Sequence, residues 1–466
     1  MIRPLVLAAV VVTALIALPC RLPGQDTSRD VVSRLRPAAD RLIATATRDS
    51  AAHARLGKLV DTFGPRLSGS ASLEAAIDWI LREMKSDGLA NVRGEPVTVP
   101  HWVRGAESAT MVQPRRVRLP MLGLGGSVAT PTSGVTAPVL VVSSFEDLQL
   151  RAAEAKGKIV LFDAPFTTYR ETVRYRVEGA SAAARVGAVA CLIRSIAPFS
   201  IRSPHTGSVR YDPSGPRIPA AALTVEDAEM IHRFQDRGEL VVLTLKMSAR
   251  TLPDVQSRNV VAEVVGRERP DEVVVLGGHI DSWDVGQGAM DDGGGSVAAW
   301  EAVRLIHQLD LRPRRTVRVV LWTNEENGGR GADAYRDRHA GELPSHVAAI
   351  ESDNGTFTPR GFRFSGEDAA LEQLQQVGAL LQSIGANLVT RETQSPEADI
   401  APLVERGVPG LGLEVDRSRY FWFHHSEGDT LDKVDPGELA RCVAALAVMA
   451  YVLAELPDGL SRTASR

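Results

Sequence analysis

The feature that most constrains this chain of 466 residues is a regular alternation of strand and helix patterns from about residue 258 onward. Short apolar runs, typical of buried strands, occur at residues 259–264, 272–276, 316–322, 347–350 and 410–414. Longer segments with apolar residues at helical spacing lie between and after them, at residues 296–309, 368–384 and 436–456. Such alternation predicts an α/β fold with a mixed, mostly parallel sheet sandwiched by helices.

The first half of the chain has a different texture. Residues 51–63 and 72–89 carry apolar positions at helical spacing and are separated by Gly and Pro breakers. From about residue 106 to 250, strand patterns at 139–142, 158–162, 188–193 and 240–245 alternate with helix patterns at 145–155, 171–186 and 225–237. This middle stretch has no cluster of catalytic groups, so we interpret it as an accessory unit.

Composition excludes several classes of function. Lys and Arg total 53 against 57 Asp and Glu, a net charge of −4, so the chain has no basic footprint and we expect no nucleic-acid partner. Three cysteines cannot build a disulfide framework, and no C-x-x-C suggests a thiolate zinc site. With 44% hydrophobic residues the chain can bury substantial cores. These values favour a large soluble protein.

The N-terminus predicts export. One early positive charge, Arg3, precedes an apolar run over residues 5–18, which is the layout of a secretory signal peptide and too short to span a bilayer comfortably. We expect a signal peptide over residues 1–25, a secreted or periplasmic mature protein, and no membrane span in the mature chain. Lipidation of Cys20 is one alternative, which is disfavoured because Pro19 stands where a small residue should precede a lipidated cysteine. An uncleaved N-terminal membrane anchor is the other alternative.

Acidic and histidine side chains follow the predicted strands of the third stretch, at the edge where open α/β sheets bind their ligands. They are His279, Asp281, Asp291, Asp292, Glu325, Glu326, Glu351, Asp353, His424, His425, Glu427 and Asp429. Each pair has an ordinary alternative explanation, since Asp-Asp before a helix is usually an N-cap and Glu-Glu is usually solvated surface. Together, so many acids at one edge would repel one another unless cations neutralised them.

Imidazole and carboxylate ligands suit zinc or a neighbouring first-row metal. A two-metal hydrolase needs one carboxylate to bridge the ions, a histidine and an acid for each ion, and a free base to activate water. The residues at this sheet edge include all of these groups. No G-x-S-x-G elbow and no H-E-x-x-H motif occurs, which argues against a serine hydrolase and against the common single-zinc proteases.

At three motifs the chain resembles the M28 family of zinc exopeptidases. They are GGHIDSWDVGQGAMDDGGG at residues 277–295, LWTNEE at 321–326 and FHHSEGDT at 423–430. The resemblance implies the zinc exopeptidase fold, two Zn²⁺ ions per chain with other divalent metals as substitutes, and hydrolysis of terminal peptide bonds in dipeptides or short peptides. It also implies a homodimer and a cis peptide bond between Asp291 and Asp292.

The same resemblance implies a role for each motif residue. Asp291 would bridge the two ions, His279 and Asp353 would complete one site, and Glu326 and His425 the other. Glu325 would be the general base, taking a proton from the attacking water. Two further acids would support the centre, Asp281 by fixing the ring of the first histidine and Asp429 from the loop of the second. His425 is preferred to His424 because the family pattern is His-Ser/Thr-x-x-Asp-Thr.

The middle stretch resembles the protease-associated domain inserted in several members of this family, through residues 156–161 and 218–220. We therefore expect residues 26–105 and 251–466 to form one discontinuous catalytic domain, and residues 106–250 to form an insert that caps the cleft. A spacer without substrate contact is the alternative. For function, the alternatives are an aminopeptidase of the same family and a catalytically silent, receptor-like module.

Overall fold

The computed structural model describes residues 28–460, so the predicted signal peptide and Cys20 lie outside the described residues. Its strands are β1 Ala90–Val103, β2 Glu107–Gln113, β3 Val117–Leu119, β4 Met121–Gly123, β5 Val135–Val142, β6 Ile159–Phe162, β7 Ala190–Arg194, β8 Ala220–Leu223, β9 Val242–Met247, β10 Arg250–Val264, β11 Arg269–His279, β12 Arg315–Trp322, β13 His346–Glu351, β14 Pro359–Ser365, β15 Leu388–Arg391 and β16 Gly410–Val415. Its α-helices are α1 Ser28–Ala46, α2 Ala51–Phe63, α3 Ala71–Ser86, α4 Phe145–Leu150, α5 Ala152–Ala155, α6 Tyr169–Arg185, α7 Val225–Asp236, α8 Gly294–Gln308, α9 Arg330–Arg338, α10 Asp368–Gly378, α11 Ala401–Val404, α12 Tyr420–Phe423 and α13 Pro436–Glu455.

The strands form two sheets. The first, called here the catalytic sheet, has the order β1-β10-β12-β11-β13-β16-β14-β15. Its centre, from β12 through β11 and β13 to β16, is parallel, while β1, β10 and β14 pair antiparallel with their neighbours β10, β12 and β16. All five strands expected from residue 259 onward lie in this sheet, which confirms the mixed, mostly parallel architecture.

Helices cover both faces of the catalytic sheet. On one face α1, α2, α8 and α13 form a large core against β11 and β12. On the other face the smaller core contains Ala332 and Tyr335 of α9 and Leu403 of α11, packed against valines of β10, β11 and β12. The sheet is therefore sandwiched by helices, as expected.

Helix α13 is central to the larger core. Among the described residues it is the one helix long and apolar enough to cross a membrane by length and composition, and 83% of that apolar window is buried within the protein. Asp435 caps its N-terminus by accepting a hydrogen bond from the Glu438 amide at 2.8 Å. We therefore describe α13 as a core helix of the catalytic sheet.

The second sheet, called here the inserted sheet, has the order β3-β2-β9-β5-β6-β7-β8-β4. Its strands all lie between β1 and β10 in the chain, so residues 107–247 interrupt the segments that build the catalytic sheet. The expected helix at 145–155 is divided at Arg151 into α4 and α5, and the one at 368–384 continues from α10 as a 3₁₀ helix, Ala379–Ile384.

Candidate metal centre

The candidate centre lies at the carboxyl edge of the parallel strands. Strand β11 ends at His279, which is paired in register with Trp322 at the end of β12. On its other side, Gly277 of β11 pairs with Glu351, the last residue of β13. Residues that follow β12 and β13 by a few positions, including Glu325, Glu326 and Asp353, therefore emerge beside His279. Hydrogen-bond register between parallel strands is what gathers side chains from three separate segments.

Two glycines allow the segment carrying Asp291 to approach β11. A Cβ on Gly278 would lie 2.2 Å from an Asp292 side-chain oxygen, and one on Gly295 would lie 1.9 Å from the Ser352 carbonyl oxygen. The peptide bond between Asp291 and Asp292 is cis, as the resemblance implies. The Asp292 carboxylate accepts hydrogen bonds from the amides of His279, at 3.0 Å, and Gly295, at 3.1 Å. Asp292 thus ties β11 to the first turn of α8.

Asp291 lies between two groups of candidate ligands. Its Oδ1 is 3.3 Å from Nε2 of His279, and the same nitrogen is 3.4 Å from Oδ1 of Asp353. Its Oδ2 is 3.2 Å from Nε2 of His425, which is 3.0 Å from Oε2 of Glu326. One carboxylate therefore presents a different oxygen to each of two histidine–acid pairs. This is the donor arrangement that a bridging ligand requires.

The hydrogen-bonding state of these atoms fits metal binding. Four buried polar atoms of this cluster have no hydrogen-bond partner among residues 28–460: Nε2 of His279, Oδ2 of Asp291, Oε1 of Glu326 and Oδ1 of Asp353. Buried polar atoms are normally paired, and buried carboxylates without compensation are costly. Atoms of His279, Asp291 and Glu326 lie within 4.8 Å of one another, close enough to share an ion. A divalent cation would satisfy these atoms.

Two adjacent histidines, His424 and His425, lie close enough to Asp291 to be the histidine ligand of the second group. Their rings are stacked, with centroids 3.5 Å apart. Nε2 of His424 is 3.6 Å from Asp291 Oδ2, and His424 also belongs to a set of donor atoms that could hold an ion. His425 is closer to Asp291 and contacts Glu326 as well. The distances therefore favour His425 as the ligand.

Asp281 supports the first group differently from the expectation. The main-chain oxygen of Asp281, rather than its carboxylate, is the hydrogen-bond partner of His279 Nδ1, at 2.9 Å, while the nearest carboxylate oxygen lies 3.9 Å away. The carboxylate instead accepts from the amides of Glu325, at 3.1 Å, and Glu326, at 3.4 Å. Asp281 thus orients the ring through its backbone and fixes the two glutamates through its side chain.

Asp429 supports the bridging position. Its buried carboxylate accepts hydrogen bonds from the amides of Ala289, Met290 and Asp291, at 2.7–3.2 Å. Burial raises the pKa of Asp429 to about 7, and the negative charge of Asp291 acts in the same direction. The third motif, residues 423–430, is in this way bound to the loop that presents Asp291.

Glu325 has a position suited to a proton acceptor. Its side chain is 24% exposed, against 2% for Glu326, and its Oε2 is 4.0 Å from Nε2 of His279. Desolvation raises the pKa of Glu325 to about 8; His279 opposes this shift, and the acids Asp353, Asp281 and Asp291 add to it. The two neighbouring glutamates therefore differ, because Glu325 is partly exposed while Glu326 is buried in contact with His425.

Arg66 is a structural residue that the sequence reasoning missed. It is fully buried, and its guanidinium donates to the main-chain oxygens of Gly64, Ile280, Gln287 and Gly288 at 2.8–3.0 Å. It thereby holds both ends of the loop between β11 and Asp291. In the sequence, Gly64-Pro65-Arg66 indicates only a break between two helices, and nothing in this segment distinguishes Arg66 from a solvent-exposed arginine.

A cavity of about 880 Å³ opens above the cluster. Its walls come from residues 353–354, 393–405 and 420–425, which lie between strands of the catalytic sheet or after them and include α11 and α12, and from α6 of the inserted part. Across its mouth, Nη2 of Arg170 donates to Oε1 of Gln394 at 3.3 Å. Both sheets therefore line the space in which a ligand of the cluster would lie.

Comparisons with known proteins agree with this geometry. Residues 259–450 match the profile of Peptidase family M28. The chain is 50% identical over 409 residues to carboxypeptidase Q of Mus musculus, covering 88% of this chain and 87% of that protein. The crystal structure of a peptidase M28 precursor from Shewanella amazonensis SB2B superposes with a TM-score of 0.90 at 36% identity, covering 92% of this chain and 99% of the other.

A more distant structure shares the fold. A zinc aminopeptidase from Bacillus subtilis superposes with a TM-score of 0.66 at 20% identity, covering 86% of this chain and 94% of that one. The assignment of the chain to a family rests on the sequence identity and coverage of the carboxypeptidase Q match. The chain therefore belongs to peptidase family M28, which confirms both the family and the metallopeptidase class expected from its motifs.

Proposed function

We propose that this protein is a di-zinc exopeptidase that hydrolyses terminal peptide bonds of dipeptides or short peptides, with a specificity like that of carboxypeptidase Q. The observation that carries the proposal is the position of Asp291, whose two carboxylate oxygens face two separate histidine–acid pairs. A single structural zinc site would need one closed set of four ligands. Two half-complete sets sharing one carboxylate suit two ions with open positions for substrate.

In this proposal Asp291 would be the ligand shared by both ions, His279 and Asp353 would complete one site, and Glu326 and His425 would complete the other. The unpartnered buried atoms of these residues support the assignment. Asp281 and Asp429 act on the ligands indirectly, through the amide and ring contacts described above. Bound at this cluster, zinc would polarise the substrate carbonyl and make a water molecule acidic enough to lose a proton near neutral pH.

Glu325 is the proposed general base. Of the acids that line the cavity and lie within 4.0 Å of His279 Nε2, it is the most exposed, at 24% against 15% for Asp353 and 5% for Asp291. It takes the proton from the attacking water and then delivers it to the leaving amine. Amide hydrogen bonds to Asp281 hold the Glu325 backbone, so the carboxylate is presented from a fixed position.

Substitution of Glu325 by Gln tests this role. The change preserves shape and removes the basic oxygen, so we expect kcat to fall by about 10³-fold, within the range for loss of a general base. Zinc content, measured by mass spectrometry, should be unchanged because Glu325 is not a ligand. Glu372→Gln, at an exposed position of α10, is the matched control. Near-normal turnover in the Glu325 variant would refute the assignment.

A panel of substrates is needed to determine which end of the peptide is cleaved. Dipeptides blocked at the amino end, blocked at the carboxyl end and unblocked should be incubated with the protein before and after chelation. The carboxypeptidase Q-like proposal predicts cleavage that depends on a free carboxyl end. Cleavage that depends only on a free amino end would make the protein an aminopeptidase, and no cleavage of any peptide by zinc-loaded protein would indicate a silent module.

We also propose that residues 106–250 act as an insert that limits substrates to short peptides, because α6 of this unit forms a wall of the cavity. Export after removal of residues 1–25 is part of the same proposal, and N-terminal sequencing of the mature protein tests it. A homodimer is expected from the family, and light scattering in solution tests that expectation.

A further inference from the structure

Helix α6 of the inserted sheet brings two polar side chains to the metal cluster. Tyr169, in its first turn, and Arg176, two turns later, both line the cavity beside Asp291, Glu325 and His425. The contacts between them are specific: Nη2 of Arg176 donates to the Tyr169 hydroxyl oxygen at 2.8 Å. An insert that served only as a spacer would have no need to place these groups there.

Arg176 is a buried cation without a carboxylate partner. It is 6% exposed, and its guanidinium forms no ion pair with an acidic side chain among residues 28–460. Its partners are neutral, namely the Tyr169 hydroxyl and the Thr206 carbonyl oxygen, at 3.3 Å, while its Nε has none. Nη1 also lies 3.2 Å from Nδ1 of His425. A buried charge is costly unless an opposite charge compensates it, at least transiently.

Tyr169 has an unused hydrogen-bond donor. Because its oxygen accepts from Arg176, its own hydrogen points elsewhere, and no acceptor for it is found within the described ranges. The ring is held by stacking on Phe421, at 4.9 Å between centroids, and by an edge contact with His424, at 5.1 Å. A hydroxyl that accepts from a cation becomes a stronger donor, because hydrogen bonds in series polarise one another.

We infer that the inserted sheet completes the reaction centre: the Tyr169 hydroxyl donates a hydrogen bond to the oxygen of the scissile carbonyl, and Arg176 positions and polarises that hydroxyl. The inference rests on the proposed function. Attack of water on the carbonyl carbon moves an electron pair onto the carbonyl oxygen, which becomes negative. The Tyr169 hydrogen bond meets this developing charge, Arg176 strengthens that bond by donating to the Tyr169 oxygen, and neither residue gives up a proton. Tyr169 is thus a catalytic residue and Arg176 a positioning residue.

The test replaces Tyr169 with Phe in the full-length, zinc-loaded protein. Loss of one donor to a developing oxyanion costs about 10²-fold in kcat, so we expect a decrease of that size with KM little changed. Affinity for a phosphinic dipeptide, which mimics the tetrahedral adduct, should weaken in parallel, whereas affinity for the amino-acid products should not. Tyr175→Phe, on the same helix but packed on Phe145, makes the same chemical change away from the cavity and should have no effect.

A second variant tests the role of Arg176. Arg176→Lys keeps the charge but loses the fixed fork that reaches the hydroxyl. If Arg176 acts through Tyr169, adding this change to Tyr169→Phe should lower kcat less than it does in the wild type. Fully additive losses would refute the positioning role.

The outcomes separate this inference from the proposed function. An active wild type whose kcat survives in Tyr169→Phe, or a variant that changes only KM, refutes the inference and leaves the exopeptidase proposal intact. A zinc-loaded wild type that hydrolyses no dipeptide refutes both.

Discussion

The two sheets of this molecule each have eight strands, but the buried acidic side chains around them differ in how they are paired. The carboxyl edge of the catalytic sheet concentrates buried acids and histidines, several with unpartnered atoms. In the inserted sheet, buried acids such as Asp227 are paired, here with the Thr224 hydroxyl at 2.8 Å and with Arg202. The contrast indicates that buried acids without an arginine or hydroxyl partner, rather than acidic residues as such, mark the edge at which cations would bind.

The largest effect on stability is expected at Gly278, where β11 lies directly against Asp292 and the first turn of α8. Gly278→Ala would place a Cβ 2.2 Å from Asp292 and 2.9 Å from the Ser296 amide. Because these atoms are fixed by the fold, we expect the free energy of unfolding to fall by about 3 kcal/mol, as measured by urea denaturation. Dipeptide hydrolysis should fall as well.

Gly179→Ala in α6 of the inserted sheet is the comparison. The nearest atom to its Cβ would be a ring carbon of Phe162 at 3.2 Å, and Ala is favoured over Gly in a helix by about 1 kcal/mol. We expect this variant to lose less stability than Gly278→Ala. Equal losses would break the contrast between the two sheets.

Asp281→Asn tests whether orientation of the glutamates matters. The variant keeps the volume but loses an acceptor for the amides of Glu325 and Glu326, so we expect hydrolysis to slow by about 10–100-fold, as for other groups that support metal ligands. Asp227→Asn makes the same exchange in the inserted sheet. It should change stability without changing kcat, and a comparable loss of kcat there would argue against a special role for Asp281.

The smallest effect is expected for Tyr211→Phe in the inserted sheet. Its hydroxyl donates to the Ile218 carbonyl oxygen at 2.6 Å, and Tyr211 does not line the cavity above the candidate metal centre. Loss of one such hydrogen bond should reduce the free energy of unfolding by about 1 kcal/mol, while kcat stays unchanged. A decrease in kcat would mean that the inserted sheet influences the centre through more than α6.

The sequence predicted the centre of the catalytic sheet well, because β11, β12, β13 and β16 are rich in apolar residues and the first three end at or within a few residues of a candidate ligand. It did not predict β1 and β14. Strand β1 contains Pro96 and Pro100 and lies at the sheet edge, where proline is tolerated, so its pattern resembles a loop. Strand β14 likewise begins with Pro359 and contains Gly361.

Site residues were predictable where a motif carried them and unpredictable where only three-dimensional contact defines them. His279, Asp291 and His425 stand in recognisable patterns. Arg66 and Arg176 do not, because their importance comes from burial beside distant segments, 214 positions away for Arg66 and Ile280. Asp281 shows an intermediate case, since the residue was identified but the atoms by which it acts could not be read from the sequence.

The central claim is that Asp291 joins two metal sites, and metal stoichiometry tests it most directly. Zinc should be counted in purified wild type and in Asp291→Asn, alongside dipeptide hydrolysis before and after chelation. We predict two zinc ions per wild-type chain, activity lost on chelation and restored by zinc, and loss of both ions in the variant. A single ion per fully active chain, or full activity in metal-free protein, would contradict the account.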